Sequence, residues 1–507
     1  MVAGMILLGL LAAVVLGQVI ADSDYKKLAI WFVFAMILSS ALFTIRDWRL
    51  GVFTFFVWIL LEDFVRKWLG NEMTLYFVKD VLIGVTYLSY FLFVWRFRQE
   101  RFRNQLRIPL LMMFAWACFQ AFNPGISDIL VPVVGLRMSF LYVPMLYLGY
   151  SFFRDEKELS RFCILTLGLA LSVSVLGIVQ SIVGVDFLNP ASAPNLRLSL
   201  IRVAPGSNLL VPRPTSTFVD AGRFAQYLFV MVFLGLGVLA YLFVLSPRPS
   251  LKLRLWVIFC WVIVLVGLFM SGQRAVIVWL ILSIPAIIWA HFYATNPQRR
   301  ARHRFSVSRL LFIGALGLYL VSVFFPLRYQ AVFDFYEKTI NPTSQYSEFE
   351  TRPRNYWGDV VKAFQSSGLI GHGTGTASLG LQYIASYRAG QVTDVHNDRT
   401  TGFYNTEGGY ASVLWEWGVV GLCLWLLWTT LLVYRLIQEV RKLRHTRFYW
   451  LAVAVTLYAF FLLFPWFYLG MQVYQQYVAQ AFLWFLVGMV FRLPLAQPQE
   501  RLGREAR

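Results

Sequence analysis

From its first residue the chain alternates long apolar runs with short polar interruptions. Runs near the ~20 residues needed to cross a bilayer core centre on residues 2–21, 27–45, 50–62, 76–95, 107–122, 130–153, 162–184, 223–245, 255–270, 275–293, 309–326, 410–434, 448–466 and 475–492. The pattern predicts an all-α polytopic membrane protein with about fourteen transmembrane helices. The third run is the doubtful one, because GVFTFFVWILL continues straight into Glu62, Asp63, Arg66 and Lys67. The first run lacks the basic start of a secretion signal and is long enough to span, so it reads as a membrane helix.

The polar interruptions set the orientation. Arg96, Arg98, Arg101, Arg103 and Arg107 crowd one loop, Arg299, Arg300, Arg302, Arg304 and Arg309 a second, and Arg435, Arg441, Lys442, Arg444 and Arg447 a third. Positive charge is retained on the cytoplasmic side, so these loops are expected there. The short loops 123–130 and 467–474 carry no Lys or Arg and fall outside. The expected layout is membrane helices in 1–184, 223–326 and 410–493, external loops at 185–222 and 327–409, and a polar cytoplasmic tail at 494–507.

The longer external loop has a pattern of its own. RPRNYWGDVVKAFQSSG sets Trp357, Val360, Val361 and Phe364 on one face at helical spacing. A short amphipathic helix is predicted, lying on the bilayer or on the helical bundle. Pro353 suits its first turn, and Arg352 and Arg354 mark its polar start. The loop ends in DVHNDRTTGFYNTEGGY, residues 394–410, a dense polar cluster just before another apolar run.

Composition agrees with the pattern: 58% hydrophobic residues, 14% charged, and a mean hydropathy of +0.62. The net charge of +19 would suit nucleic acid, but its confinement to short loops between apolar runs argues for membrane orientation instead. Cys118, Cys163, Cys260 and Cys423 lie inside apolar runs without metal-ligand spacing, so neither a disulfide nor a metal site is indicated. No fixed-period repeat is evident.

Chemistry is therefore sought on the external face. Arg274, in MSGQRAVIV, begins a helix whose free N–H groups and dipole favour an anion; the plainer reading is a head-group anchor. Arg213, in LVPRPTSTFVDAGRFAQYL, sits between two stiffening prolines beside Thr215, Ser216 and Thr217, a strip suited to a polyanion or a sugar, or ordinary surface. Arg137 lies within a membrane helix, where an ionisable residue is either functional or paired, here with Asp80 or Asp128. GLIGHGTGTASLG, residues 368–380, lacks the ending of a nucleotide-binding loop and reads as a tight turn re-entering the site, with His372 structural. His396, beside Asn397, Asp398 and Arg399, is the candidate general base, and Glu407 is the alternative.

The order of these motifs resembles a known family. SGQRA at a helix start, Arg354 to Trp357 in R-x-x-W, then IGHGTG, HN and the helix entry GGYASVLWEWGVVGL are together similar to the O-antigen ligase and polymerase superfamily, over roughly residues 205–430. The resemblance implies a bacterial inner-membrane glycosyltransferase of C-type architecture, its active site facing the periplasm. It would move an undecaprenyl-diphosphate-linked glycan to an acceptor hydroxyl without metal, nucleotide sugar or other cofactor. By matched position, Arg274 and Arg354 would bind the diphosphate, with Arg352, Arg213 and Arg137 as further candidates, and His396 would assist deprotonation of the acceptor. Expected partners are the lipid-linked oligosaccharide, the bilayer and a chain-length regulator, with no nucleic acid. The chemistry is consistent with these residues. A glycosyl diphosphate is already activated, so the site must mainly stabilise the leaving group and take one proton.

One departure bears on the acceptor. Where ligases commonly carry a glycine at a fixed interval after HN, this chain has Glu407, and its NTEGGY entry is closer to polymerases of O-antigen or exopolysaccharide. Polymerase is therefore the first expectation and ligase the second. A transporter of lipid-linked sugars is the third; it would show broken helices in corresponding halves, which the sequence does not.

Overall fold

The computed structural model describes residues 42–69, 73–97, 106–126, 128–189, 201–203, 210–244, 249–294, 307–378, 409–464 and 474–495, with Ala35, Ser39 and Phe102. The described residues are mostly helical and form two compact units.

The first unit takes Met1–Arg101, Leu188–Pro194 and Thr217–Val219. Its described helices are α1 (Trp48–Trp68), the short α2 (Met73–Tyr76) and α3 (Val78–Phe97). Asp47 caps α1 by accepting from the Arg49 N–H at 3.0 Å. The doubtful third run is the middle of this 21-residue helix. Its charged end is buried, and burying charge is costly unless each is paired. Pairing is what the structure provides. Lys79 reaches Glu62 at 2.8 Å, Arg66 reaches Asp63 at 3.2 Å, and Lys67 donates to Asn189 at 2.9 Å. Asp63 also accepts from the Val219 N–H at 3.2 Å. Both flanks of the 185–222 loop thus tie to the charged end of α1.

The second unit comprises Phe102–Phe187, Asn195–Ser216 and Asp220–Arg507. In order it contains α4 (Arg107–Gln120), α5 (Leu130–Phe140), α6 (Met145–Phe152), α7 (Glu156–Val183), β1 (Ile201–Val203), β2 (Leu210–Pro212), α8 (Ala221–Val244), α9 (Leu251–Met270) and α10 (Arg274–Ala294). There follow α11 (Val307–Phe324), α12 (Pro326–Ile340), α13 (Glu348–Ser367), α14 (Gly409–Lys442), α15 (Tyr449–Leu463) and α16 (Tyr477–Arg492). Helices α8 and α16 are almost wholly buried and form its centre. Against α16 packs α6, with glycine on both sides of the crossing. A Cβ on Gly149 would lie 2.0 Å from the Phe485 carbonyl oxygen, and one on Gly488 would lie 2.1 Å from that of Leu146. Only hydrogen at both positions permits this approach, a common basis of close helix packing in membranes.

Among the described residues six helical stretches are long and apolar enough to cross a membrane: Leu130–Phe152, Glu156–Val183, Ala221–Phe243, Leu251–Met270, Arg274–Tyr293 and Gly409–Lys442. Shorter apolar helices are α4, α15 and α16. Run 2–21 lies outside the described residues, as does most of 27–45. Segment 185–222, expected as an external loop, contains an antiparallel ribbon, β1 with β2, pairing Ile201 with Pro212 and Val203 with Leu210. Periodicity gave no hint of these three-residue strands. The amphipathic helix is α13. It begins at Glu348, before the predicted start, so Pro353 falls in its second turn and removes one backbone hydrogen bond.

Candidate functional site

The site is built where α9 turns into α10. Ser271 Oγ donates to the Leu268 carbonyl at 2.6 Å and accepts from the Gln273 N–H at 3.3 Å. Gly272, at φ 66°, completes the turn. Arg274 is consequently the first residue of α10. Beside the turn, Val211 of β2 packs with Val266 and Met270 of α9 and with Val332, Phe335 and Tyr336 of α12. The Tyr336 hydroxyl fixes this junction by donating to the Phe269 carbonyl at 2.8 Å.

Three arginines from distant segments meet here. Arg213, just past β2, is 7% exposed, and its Cγ lies 3.5 Å from where a Cβ on Gly272 would be. Burial pulls Arg213 below its ordinary pKa, Asp220 opposes this, and the charge of Arg274 adds to the lowering. Arginine nonetheless stays charged. Arg274 Nη1 lies 2.7 Å from Glu348 Oε1, and Arg352 Nε lies 2.7 Å from Glu348 Oε2. The Arg274 guanidinium also lies over the Phe335 ring, 5.0 Å from its centroid. Burial alone would raise the Glu348 pKa, but hydrogen bonds and charge from Arg352 and Arg274 outweigh it and hold the carboxyl below its ordinary value. A carboxylate bridging two guanidiniums shows how the pair can take an oxyanion, since the planar forks match carboxylate and phosphate alike.

Arg354 takes another direction. Two residues beyond Arg352, it is turned about 160° around the helix and is exposed. Arg137 is half-buried on α5, its Nη1 3.4 Å from the Met138 sulfur. That helix packs on the glycine-rich loop, where a Cβ on Gly135 would meet Gly375 Cα at 2.4 Å. Of the proposed pairing partners for Arg137, Asp128 lies just before α5 and accepts from the Leu130 N–H at 3.0 Å. His396 and Glu407 lie outside the described residues.

The glycine-rich segment has a different task from phosphate binding. At Gly418, with φ 65° and ψ −168°, α14 breaks. A broken membrane helix frees backbone groups that must find partners. His372 and Gly373 donate their N–H groups to the carbonyls of Trp415 and Glu416 at 2.8 and 3.0 Å. In return Val419 and Val420 donate to the carbonyls of Gly368 and Leu369 at 3.2 and 3.3 Å. The Trp116 indole donates to the Trp417 carbonyl at 3.0 Å. Glu416, 2% exposed, accepts from the Ala377 N–H at 3.0 Å and the Ser378 hydroxyl at 2.8 Å. The loop is thus docked into the break, its N–H groups at 372, 373 and 377 already engaged. The His372 ring lies 4.0 Å from that of Trp415, and burial lowers its pKa.

Two acids of this region escaped the sequence reading. Glu348 sits 74 residues from Arg274, and no local pattern announces the contact. Glu416 was detectable as a lone carboxylate inside the apolar run VLWEWGVV. Among the described residues, no three His, Cys, Asp or Glu side chains gather as metal ligands.

Comparison with known proteins adds one finding. Residues 258–426, spanning α9 from its middle through the break in α14, match a family described as O-antigen ligase. No curated protein matches the chain.

Proposed function

With residues 258–426 placing the chain in the O-antigen ligase and polymerase superfamily, we propose that it is a polysaccharide polymerase of the bacterial inner membrane. It would transfer an undecaprenyl-diphosphate-linked glycan to a sugar hydroxyl at the periplasmic face, making O-antigen or exopolysaccharide. The observation that carries the reading is the meeting of Arg274 and Arg352 on Glu348 beside the turn between α9 and α10, with Arg213 near enough to Arg274 for their charges to interact.

In the proposed reaction the arginines hold the diphosphate, and Glu348 keeps Arg274 and Arg352 aligned until it arrives. The acceptor oxygen attacks the anomeric carbon as the bond from that carbon to the diphosphate breaks. The diphosphate leaves with the electron pair, stabilised by guanidinium groups already in place. His396 takes the acceptor proton, with Glu407 as the alternative base. Arg137, deeper on α5, is a further candidate for contact with the lipid carrier.

The ligase reading, transfer of the finished glycan to lipid A-core or another acceptor, is favoured by the description of the matched family. The transporter reading draws on the broken α14, since broken helices hold substrates in transporters. Here the freed groups named above are occupied by the glycine-rich loop and by the Trp116 indole of α4, which argues against that use.

A gel of lipid-linked and surface glycans from a deletion strain, complemented with wild type or His396→Ala, tests the reading. Single repeat units left on the carrier or lipid core, rescued by wild type alone, are expected. Long polymer stranded on the carrier would replace polymerase with ligase.

A further inference from the structure

Helix α13 has two apolar faces, and among the described residues only one is covered by protein. On the inner face Val360 and Ala363 pack against Ala411 and Leu414 of α14, one turn or more from Glu348 and Arg352. The opposite face shows Trp357, Val361 and Phe364 at 46%, 53% and 57% exposure. Such a row, at i, i+4 and i+7, is costly to leave in water.

The surroundings say what covers it. The helix runs directly into Leu369 and Ile370, which are 68% and 54% exposed. Their carbonyls accept from the Val420 N–H of α14 at 3.3 Å and from the Gln120 side chain of α4 at 2.6 Å. Both partner helices present exposed apolar side chains along their outer surfaces, Leu426 and Leu427 on α14 and Phe119 on α4, with Phe122 in the turn that follows α4. On apolar helices of a membrane protein these face lipid. The row on α13 therefore continues the lipid-facing surface.

We infer that α13 is embedded in the outer interface of the bilayer through Trp357, Val361 and Phe364, with phospholipid as the partner. Arg354 stands on the same exposed side as Trp357. A basic residue and a tryptophan at one edge of such a row match the head-group level, where a long cationic side chain reaches phosphate while its stem stays in the apolar layer. The inner face meanwhile presents Glu348 and Arg352 to Arg274. One helix would thereby fix the height of the arginine cluster at the lipid phosphates. This membrane contact stands apart from the polymerase reading, since it requires only that the chain sit in a bilayer.

The test uses the wild-type full chain in nanodiscs of phosphatidylethanolamine and phosphatidylglycerol containing a diazirine-acyl phospholipid. After photolysis, adducts are mapped by mass spectrometry. Adducts within Trp357–Phe364 at a yield comparable to those at Leu426 and Leu427 are expected, and Val361→Glu should reduce them. Labelling of Leu426 and Leu427 without labelling of α13 would overturn the inference. So would labelling of α13 that disappears on adding polyprenyl diphosphate, which would make the row a groove for the substrate tail, or its absence only when copies cross-link through α13, which would make it an oligomer contact. Glycan transfer need not be measured, so failure of the polymerase reading leaves this result unchanged.

Discussion

Glu348 is the residue whose chemistry matters most to the site, because two guanidiniums of different helices converge on its two oxygens. Its depressed pKa means the folded protein binds fewer protons on this group than the unfolded chain. Its stabilising contribution is therefore complete above the ordinary carboxylate pKa and is lost as pH falls through the depressed folded value. Protection of the α13 amides, corrected for the pH dependence of intrinsic exchange and read at fixed temperature, should be flat across neutral pH and fall only in acid below the usual carboxylate range. The wild-type acid response should shrink in Glu348→Gln. Shape matters as well as charge: Arg274→Lys would keep the positive charge but lose the planar fork and its placement over Phe335. Loss of one charge-assisted hydrogen bond, about 1.5–3 kcal/mol, corresponds to a fall of roughly 10- to 100-fold in transfer rate at limiting donor. An assay of initial rates at low donor concentration checks it.

At the scale of elements, α13 and the broken α14 show where sequence reasoning reached and where it stopped. The row of Trp357, Val361 and Phe364 was legible because helical periodicity is a local property, but Val360, read onto the same face, packs inward with Ala411 and Leu414 of α14. Which of Arg352 and Arg354 turns inward was not, because phase about the helix axis is fixed by Glu348 and by packing on Ala411 and Leu414. The apolar run around WEWGVVGL similarly reads as continuous. Its break depends on a loop about fifty residues upstream, whose glycines looked like an ordinary tight turn. Gly418 makes the dependence testable. Its backbone conformation is essentially reserved for glycine, and a Cβ there would lie 2.3 Å from the Leu369 carbonyl oxygen. Gly418→Ala should cost at least about 1–3 kcal/mol from backbone strain alone. Lower thermal stability in detergent, with earlier proteolysis within 368–378, is the expected outcome; an unchanged melting profile would mean the docking of loop and break contributes little.

For the whole molecule, hydropathy conveyed the membrane class, since it reflects the solvent rather than specific partners, and arginine placement supplied the expectation of which side each loop occupies. Tertiary proximity was beyond their reach. Arg213, Arg274 and Arg352 lie on three segments, and only folding of β2, the α9–α10 turn and α13 against α12 and α14 brings them to one place. In the proposed mechanism this cluster holds the leaving diphosphate. The most direct measurement is initial-rate transfer by purified protein in nanodiscs, with a polyprenyl-diphosphate oligosaccharide as donor, comparing Arg274→Ala, Arg352→Ala and Arg354→Ala. Losses of about 100-fold or more are expected for the first two, typical of removing a donor aimed at developing charge, with Arg354→Ala close to wild type. Full loss in Arg354→Ala with normal transfer in Arg352→Ala would contradict the mechanism.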